Sequence, residues 1–290
     1  MWPPASRADF VTTPLVPPPS RVVGPLAATA VRAWSLLRLL DNGAPAPIDA
    51  TPLEGAIAAA SHNVWGVHLH PMQLRALLFL FGDDNLARKM LLVARTGGTG
   101  GRKSHVIRMI GTMFRGIHLI IHPLLVLTAD QIMKFSCAST SHGAVMAHNL
   151  DEQASASRAH RNHLMKFLLD LGPDTSRTVY LFASLHFLAS HVACLNAIIL
   201  CSRCGTLRSV TIDKAHLLAR QGASFRPEVC MLRESFFVPI WRNTISEKRP
   251  LLVCVTATCS RNGRLRLEHT TCTGFPDEYC SWFPATLFRQ

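Results

Sequence analysis

Charged side chains are scarce in this 290-residue sequence, where they make up 17% of the residues. An average soluble protein has about 25%. Hydrophobic residues account for 48%. Because a chain that stays unfolded needs high charge and few apolar residues, this composition excludes a protein that is disordered along its whole length. The length is enough for one large domain or two smaller ones, and a globular or a membrane-associated fold is open.

Lysine is rarer still, with six residues against 24 arginines, and the 18 acidic residues leave a formal net charge of +12. This excess favours anionic partners such as nucleic acid, a nucleotide or acidic lipid. Residues 1–60 hold four arginines, four acids and ten of the 18 prolines, so the whole excess lies in 61–290. We expect a Pro- and Ala-rich leader of low order over 1–60, a folded basic domain over 61–275 and a tail over 276–290.

A continuous apolar stretch is missing from the first twenty residues, so no secretory signal is expected, although an organelle transit peptide stays open. The nine cysteines are an odd number with scattered spacing. Cys201 and Cys204 form a CxxC pair, but no second pair at zinc-ligand spacing accompanies them. Ordinary thiols in a reducing compartment, the nucleus or the cytoplasm, are the expectation.

The stretch Leu181–Leu200 has twenty residues without a formal charge, which is long enough to span a bilayer. It contains Ser184, His186 and Asn196, and no other stretch accompanies it. A buried strand end, a helix and the approach to a second strand are therefore the favoured interpretation, and no membrane partner is expected.

Five short apolar runs have the length and composition of buried strands, and helix-forming stretches lie between them. The strand-like runs are Met90–Ala94, Ile117–Ile121, Thr178–Phe182, Val210–Asp213 and Leu251–Thr256. The clearest helical stretches are Pro71–Phe81, His105–Phe114, Ala154–Leu171 and Phe187–Ile198. This alternation predicts an α/β fold with a doubly wound, mainly parallel sheet. Ligands of such sheets bind beyond the carboxyl ends of the strands.

A glycine-rich segment follows the first strand-like run and precedes a helix. It consists of Thr96, Gly97, Gly98, Thr99, Gly100, Gly101, Arg102, Lys103 and Ser104. In a phosphate-binding loop of pattern GxxxxGK[ST], backbone N–H groups wrap a phosphate, the lysine neutralises it and the hydroxyl binds Mg²⁺. Here Arg102 replaces the last glycine and Thr-Gly-Gly is repeated, so weakened nucleotide binding is expected. A glycine-rich turn with a chance Lys-Ser pair is the alternative.

The fourth strand-like run ends in Asp213, Lys214, Ala215 and His216, and the pattern GxxFRPE follows at 222–228. This segment resembles the DEAH box of superfamily 2 helicases, and the trailing pattern resembles the RecQ family. Further segments resemble motifs of that family in the same order. They are Gln73 (the adenine-reading glutamine), His122 and Pro123 through Gln131 (motif Ia), 179–184 (the strand before motif Ib) and 255–258 (motif III).

The resemblance implies one RecA-like lobe that binds ATP, Mg²⁺ and DNA. Lys103 and Ser104 would hold phosphate and Mg²⁺, and Asp213 would hold the Mg²⁺ shell through water. The relay between nucleotide and DNA would be formed by His216, Thr256 and Thr258. DNA contacts would come from His122, Pro123 and Gln131 of motif Ia and from Phe225 and Arg226, for which a simple turn is the alternative.

Two departures from the family pattern bear on activity. Lys214 stands where the family has the glutamate that activates water, and a protonated lysine has no free acceptor for that role. Nothing after Thr258 resembles the second RecA-like lobe, so a lobe supplied in trans is a possible partner. We therefore expect an impaired ATP-dependent helicase lobe. A non-catalytic nucleic-acid or protein binding module and a decayed, transposon-linked helicase copy are the alternatives.

Overall fold

The computed structural model describes residues 52–81, 89–94, 101–122, 132–135, 145–155, 158–220, 231–242, 244–245, 248–256, 261–272 and 280–283. The strands are β1 (Lys89–Ala94), β2 (Gly116–His122), β3 (Val145–Asn149), β4 (Thr178–Ser184), β5 (Leu207–Asp213), β6 (Leu251–Thr256) and β7 (Cys280–Phe283). The helices are α1 (Pro52–Trp65), α2 (Pro71–Phe81), α3 (Gly101–Met113), α4 (Leu150–Ser155), α5 (Arg158–Asp170), α6 (Leu185–Ser190), α7 (Val192–Cys204), α8 (Ala215–Arg220), a π-helix (Arg233–Phe237), α9 (Val238–Arg242) and α10 (Arg261–Thr271).

The seven strands form one sheet in the order β3-β4-β2-β5-β6-β1-β7, and every pair is parallel. Parallel neighbours require a crossover, and helices lie between β1 and β2 and between each pair of consecutive strands from β3 to β7. The predicted α/β fold with a parallel sheet is thereby confirmed. All five predicted strands are present, and β3 and β7 are additional strands at the two edges of the sheet.

Both faces of the sheet are buried, because alternate residues of each central strand point to opposite sides. On β4, Tyr180 and Phe182 pack with α1, α2 and α3, whereas Val179, Leu181 and Ala183 face α5, α6 and α7. The same alternation holds on β6, where Val253 and Val255 share the first core and Leu252 and Cys254 the second. Such two-sided burial accounts for the continuous apolar runs that identified these strands.

The boundaries of the predicted domain differ from the structure at both ends. The division at residue 60 falls inside α1, whose Ala56, Ile57 and Ala60 are buried in the core. The predicted tail over 276–290 contains β7, which pairs with β1. The rest of the predicted leader, residues 1–51, lies outside the described residues.

The uncharged stretch 181–200 forms the end of β4, all of α6 and most of α7. In the described part of the chain, no helix has the length and apolar character needed to cross a membrane. Cys201 is buried and Cys204 is exposed on α7, and both thiols are free.

Candidate functional site

Four neighbouring strands end side by side at one edge of the sheet, which we call the carboxyl edge. β4 ends at Ser184, β2 at His122, β5 at Asp213 and β6 at Thr256. The parallel register pairs His122 with Ser184 and Asp213 with Val255. Three residues predicted for the site, His122, Asp213 and Thr256, are therefore brought together by the sheet itself. This is the edge at which parallel α/β sheets bind their ligands.

His122 and Asp213 face each other at the centre of this edge. Nδ1 of His122 lies 3.5 Å from Oδ2 of Asp213, and their side chains are only 5% and 14% exposed. The His122 ring stacks on Phe182, with ring centres 5.5 Å apart and an interplanar angle of 10°. Nε2 of His122 is buried and has no hydrogen-bond partner among the described residues. An orphaned polar nitrogen at this position fits a site that takes a water molecule or a polar ligand.

The electrostatic surroundings of Asp213 favour its ionised form. Burial alone would raise the pKa of this carboxyl, but the contact with His122 and the N–H and charge of Lys214 outweigh burial and hold the pKa below its ordinary value. The backbone N–H of Lys214 donates to Oδ1 of Asp213 at 2.9 Å. Lys214 adopts a left-handed backbone with φ of 52°, at the turn between β5 and α8. A buried, ionised carboxylate with fixed oxygens suits a divalent cation.

A second hydrogen bond joins the neighbouring strand ends. Nδ1 of His216, in the first turn of α8, lies 2.7 Å from Oγ1 of Thr256 at the end of β6. Thr256 is buried and His216 is partly buried. The two predicted relay residues are thus in direct contact. The third, Thr258, lies outside the described residues.

Lys103 and Ser104 lie in the first turn of α3, which begins at Gly101. Burial lowers the pKa of Lys103; the negative charge of Asp213 raises it, and the charge of Lys214 lowers it further. The lysine of the predicted phosphate loop and the predicted metal-shell carboxylate therefore act on one another across the carboxyl edge. Of the remaining loop residues, Thr96, Gly97, Gly98, Thr99 and Gly100 lie outside the described residues, as do Pro123, Gln131, Phe225 and Arg226 of the predicted DNA contacts.

The residues present fit a magnesium-bound phosphate. A lysine ammonium and a serine hydroxyl lie at the start of a 13-residue helix, and the N-terminus of a helix favours an anion. The ionised Asp213 faces this lysine, and Mg²⁺ characteristically takes one or two carboxylates together with water and phosphate oxygens. Gln73 is buried at the start of α2, and its Oε1 accepts the backbone N–H of His70 at 2.7 Å.

Asp151 is a site residue that the sequence did not reveal. Its carboxylate accepts hydrogen bonds from the backbone N–H of Ser184, at 2.7 Å, and from the Ser184 hydroxyl. The same hydroxyl accepts the N–H of Phe187 and caps α6. Ser184 before a helical stretch is an N-cap pattern that could have been found. Asp151 follows β3, whose sequence VMAHN gave no strand signal.

No family model matches this sequence. A protein of Bacillus subtilis (strain 168) described as probable ATP-dependent DNA helicase RecS is 27% identical over 134 residues, which cover 46% of this chain and 23% of the relative. A solved structure of DUF1998 helicase MrfA bound to DNA matches 80% of this chain and 28% of its own, with a TM-score of 0.50 and 14% identity. This chain thus spans about a quarter of the length of either protein, and its parallel α/β fold is similar to that of the MrfA structure.

Proposed function

We propose that this chain is the ATP-binding lobe of a RecQ-like DNA helicase, with Mg-ATP at the carboxyl edge and hydrolysis impaired by Lys214. The convergence of Lys103, Asp213 and the His216–Thr256 pair at that edge carries the proposal. A glycine-rich turn with a chance Lys-Ser pair gives no reason for Lys103 to lie close enough to Asp213 for the carboxylate to raise the pKa of this lysine.

The chain's own residues would divide the work as follows. Lys103 places a cation at the start of α3, where the helix N-terminus adds further positive potential for phosphate. Asp213, held by His122 and the Lys214 N–H, presents an ionised carboxylate to the metal shell. When bound, Mg-ATP supplies the phosphoanhydride bond whose cleavage drives a helicase. His216 and Thr256 link the nucleotide side of β5 to β6, so that a shift at one strand end is felt at the other.

Lys214 replaces the residue that would accept a proton from water. A positioned general base contributes about 10²–10⁴-fold to the rate, and a protonated ammonium cannot supply this. Its charge is instead suited to holding a triphosphate. This residue favours binding over turnover, so a nucleotide-gated nucleic-acid binding module is the second candidate function.

Titration calorimetry with Mg-ATP tests the proposal. We expect weak but measurable binding by the wild-type protein, and loss of at least tenfold in affinity for Lys103→Ala, because the phosphate loses its cation. Lys166→Ala, at an exposed position on α5, is the matched control and should bind as the wild type does. Equal affinities for wild type and Lys103→Ala would exclude phosphate binding by this loop.

A further inference from the structure

Lys214 places a cation directly beside the carboxylate of Asp213 at the carboxyl edge. Its backbone N–H donates to Oδ1 of Asp213 at 2.9 Å, and its φ is 52°. This left-handed conformation is uncommon for a residue other than glycine, and the hydrogen bond to the carboxylate helps to stabilise it. The turn between β5 and α8 therefore fixes the backbone of Lys214 relative to Asp213.

Lys214 and Asp213 also line one small cleft at the ends of β2 and β5. The other residues that line it are apolar, namely Ile121, Leu185, Ile212 and Leu218. Water screens charges less in apolar surroundings than on an open surface. The ammonium and the carboxylate therefore act on each other and on any ion that enters.

Both oxygens of Asp213 already face donors. Oδ1 accepts the N–H of Lys214, and Oδ2 lies 3.5 Å from Nδ1 of His122. The side chains of His122 and Asp213 are 5% and 14% exposed, so solvent has little access to this contact. A divalent cation that approaches Asp213 meets a carboxylate whose oxygens are partly engaged, together with the positive charge of Lys214.

Asp151, a second carboxylate at this edge, is bound to a different partner. It accepts hydrogen bonds from the N–H and the hydroxyl of Ser184. β4 and β2 lie between β3, which precedes Asp151, and β5, which ends at Asp213. Three strand spacings amount to about 14 Å, which is too far for both carboxylates to reach one Mg²⁺ with oxygen ligands at about 2.1 Å.

Lys103, in the first turn of α3, is within the field of both residues. Burial lowers its pKa, the charge of Asp213 raises it and the charge of Lys214 lowers it again. The two lysines therefore repel each other across the site. An anion placed between them relieves this repulsion, whereas Mg²⁺ adds a further positive charge to it.

We propose that the carboxyl edge binds a nucleoside triphosphate as the metal-free anion in preference to its magnesium complex, with the ammonium of Lys214 supplying the positive charge that Mg²⁺ would bring. This inference rests on the proposed function, because it concerns the same site and names the form of the ligand. The metal-free anion carries more negative charge than its magnesium complex, so it gains more from a second lysine. Mg-ATP still binds, but more weakly.

The test is titration calorimetry with ATP in two buffers of equal ionic strength, one with excess MgCl₂ and one with EDTA. The measured quantity is the ratio of the two dissociation constants. The variant is Lys214→Glu. Its matched control is Lys166→Glu, which makes the same change of charge at an exposed position on α5. Circular dichroism checks that each variant keeps its fold.

We expect the wild-type protein to bind ATP about tenfold more tightly in EDTA than in MgCl₂, as follows from one additional, partly screened attraction between charges. Lys214→Glu should reverse the preference, because two neighbouring carboxylates repel the anion unless a cation lies between them. Lys166→Glu should keep the wild-type ratio. If Lys214→Glu misfolds, Lys214→Gln should show a smaller preference for the metal-free anion than the wild type.

The other outcomes separate this inference from the proposed function. Equal or weaker binding of ATP by the wild type in EDTA would overturn the inference and leave binding of Mg-ATP in place. The same change of ratio in Lys166→Glu as in Lys214→Glu would also overturn it, since net charge alone would then account for the effect.

Lys103→Ala completes the series and should lose affinity in both buffers. Wild-type affinity of Lys103→Ala in EDTA would place the anion elsewhere and overturn the inference. Failure of the wild type to bind ATP in either buffer would overturn the ATP part of the proposed function, and this inference with it.

Discussion

Nδ1 of His216 lies 2.7 Å from Oγ1 of Thr256, so one hydrogen bond joins the first turn of α8, which follows β5, to the last residue of β6. Because Asp213 lies three residues before His216, this contact fixes the turn that presents the carboxylate. His216 is half-buried and Thr256 is buried, so removal of either side chain takes from the other a hydrogen bond that is at least partly shielded from water.

The first prediction is that Thr256→Val lowers the free energy of unfolding by about 0.5–1.5 kcal/mol, through the loss of this hydrogen bond. Thr256→Ser keeps the hydroxyl and should cost less. In a double-mutant cycle with His216→Ala, urea denaturation should give a coupling energy of about 0.5–1.5 kcal/mol. Strictly additive effects would show that the two side chains do not interact in solution.

Gly116→Ala should destabilise the fold by more than about 1 kcal/mol, because the new Cβ meets backbone and φ of 131° is strained for alanine. Gly172→Ala is the matched control, since a Cβ at Gly172 meets nothing within 4 Å. Urea denaturation of the two variants measures the difference. Similar midpoints for both would mean that Thr206 and Arg208 do not pack against Gly116 in solution as they do in the structure.

The sequence predicted the centre of the fold well and its margins poorly. The segment Leu251–Thr256 was predicted with the observed bounds, because a strand buried on both faces is apolar at every position. β3 was missed because four of its five residues are only half-buried, so its sequence has no apolar run. The helix predicted over Phe187–Ile198 is two helices that meet at His191, a break without a proline or glycine signal.

The candidate site likewise has residues that the sequence pattern predicts and contacts that it does not. Asp213, His216 and Thr256 could be predicted to lie close together because a motif places them directly at or after apolar strands, and parallel strands bring such positions to the same end of the sheet. The direct contact of His122 with Asp213 was not predicted, because it depends on β2 lying next to β5, and strand order is not written in the local pattern.

Acidification should destabilise the protein through His118. This side chain is fully buried, between Ser209 and the carbonyl oxygen of Phe114, and burial lowers its pKa to about 3. In the unfolded chain this histidine has its ordinary pKa of 6.5 and binds a proton below that pH, whereas in the folded chain it stays neutral down to about pH 3. The contribution of neutral His118 to stability is therefore fully present above pH 6.5 and is lost as the pH falls towards 3.

Because of His118, the free energy of unfolding should be about 1.4 kcal/mol lower at pH 5.5 than at pH 8. His118→Gln should be less stable than the wild type at pH 8, because the ring packs on Tyr180, but its stability should decline less on acidification. Urea denaturation at the two pH values measures both slopes. Parallel slopes for wild type and variant would exclude His118 as a source of the pH dependence.

The last prediction concerns Lys214→Glu, which introduces a carboxylate where the helicase family has its general base. The backbone should tolerate the change, since the N–H of Lys214 donates to Asp213 whatever the side chain is. We expect ATP hydrolysis to rise by about 10²-fold, the lower end of a general base's contribution and equivalent to about 3 kcal/mol of barrier. ATP affinity should fall, because a cation is removed from the proposed phosphate site. A phosphate-release assay measures the rate.

Lys214→Gln separates charge from proton transfer, because it removes the cation without supplying a base. Lys214→Gln should weaken ATP binding and leave hydrolysis at the wild-type rate. An equal rise in the hydrolysis rate of both variants would show that the positive charge of Lys214, and not the lack of a base, limits turnover.

Neither variant should separate a 3′-tailed duplex in a fluorescence assay. Helicases convert hydrolysis into motion by closing two lobes on one nucleotide, and the described residues form one sheet. ATP-dependent unwinding by Lys214→Glu alone would contradict a division of labour between two lobes.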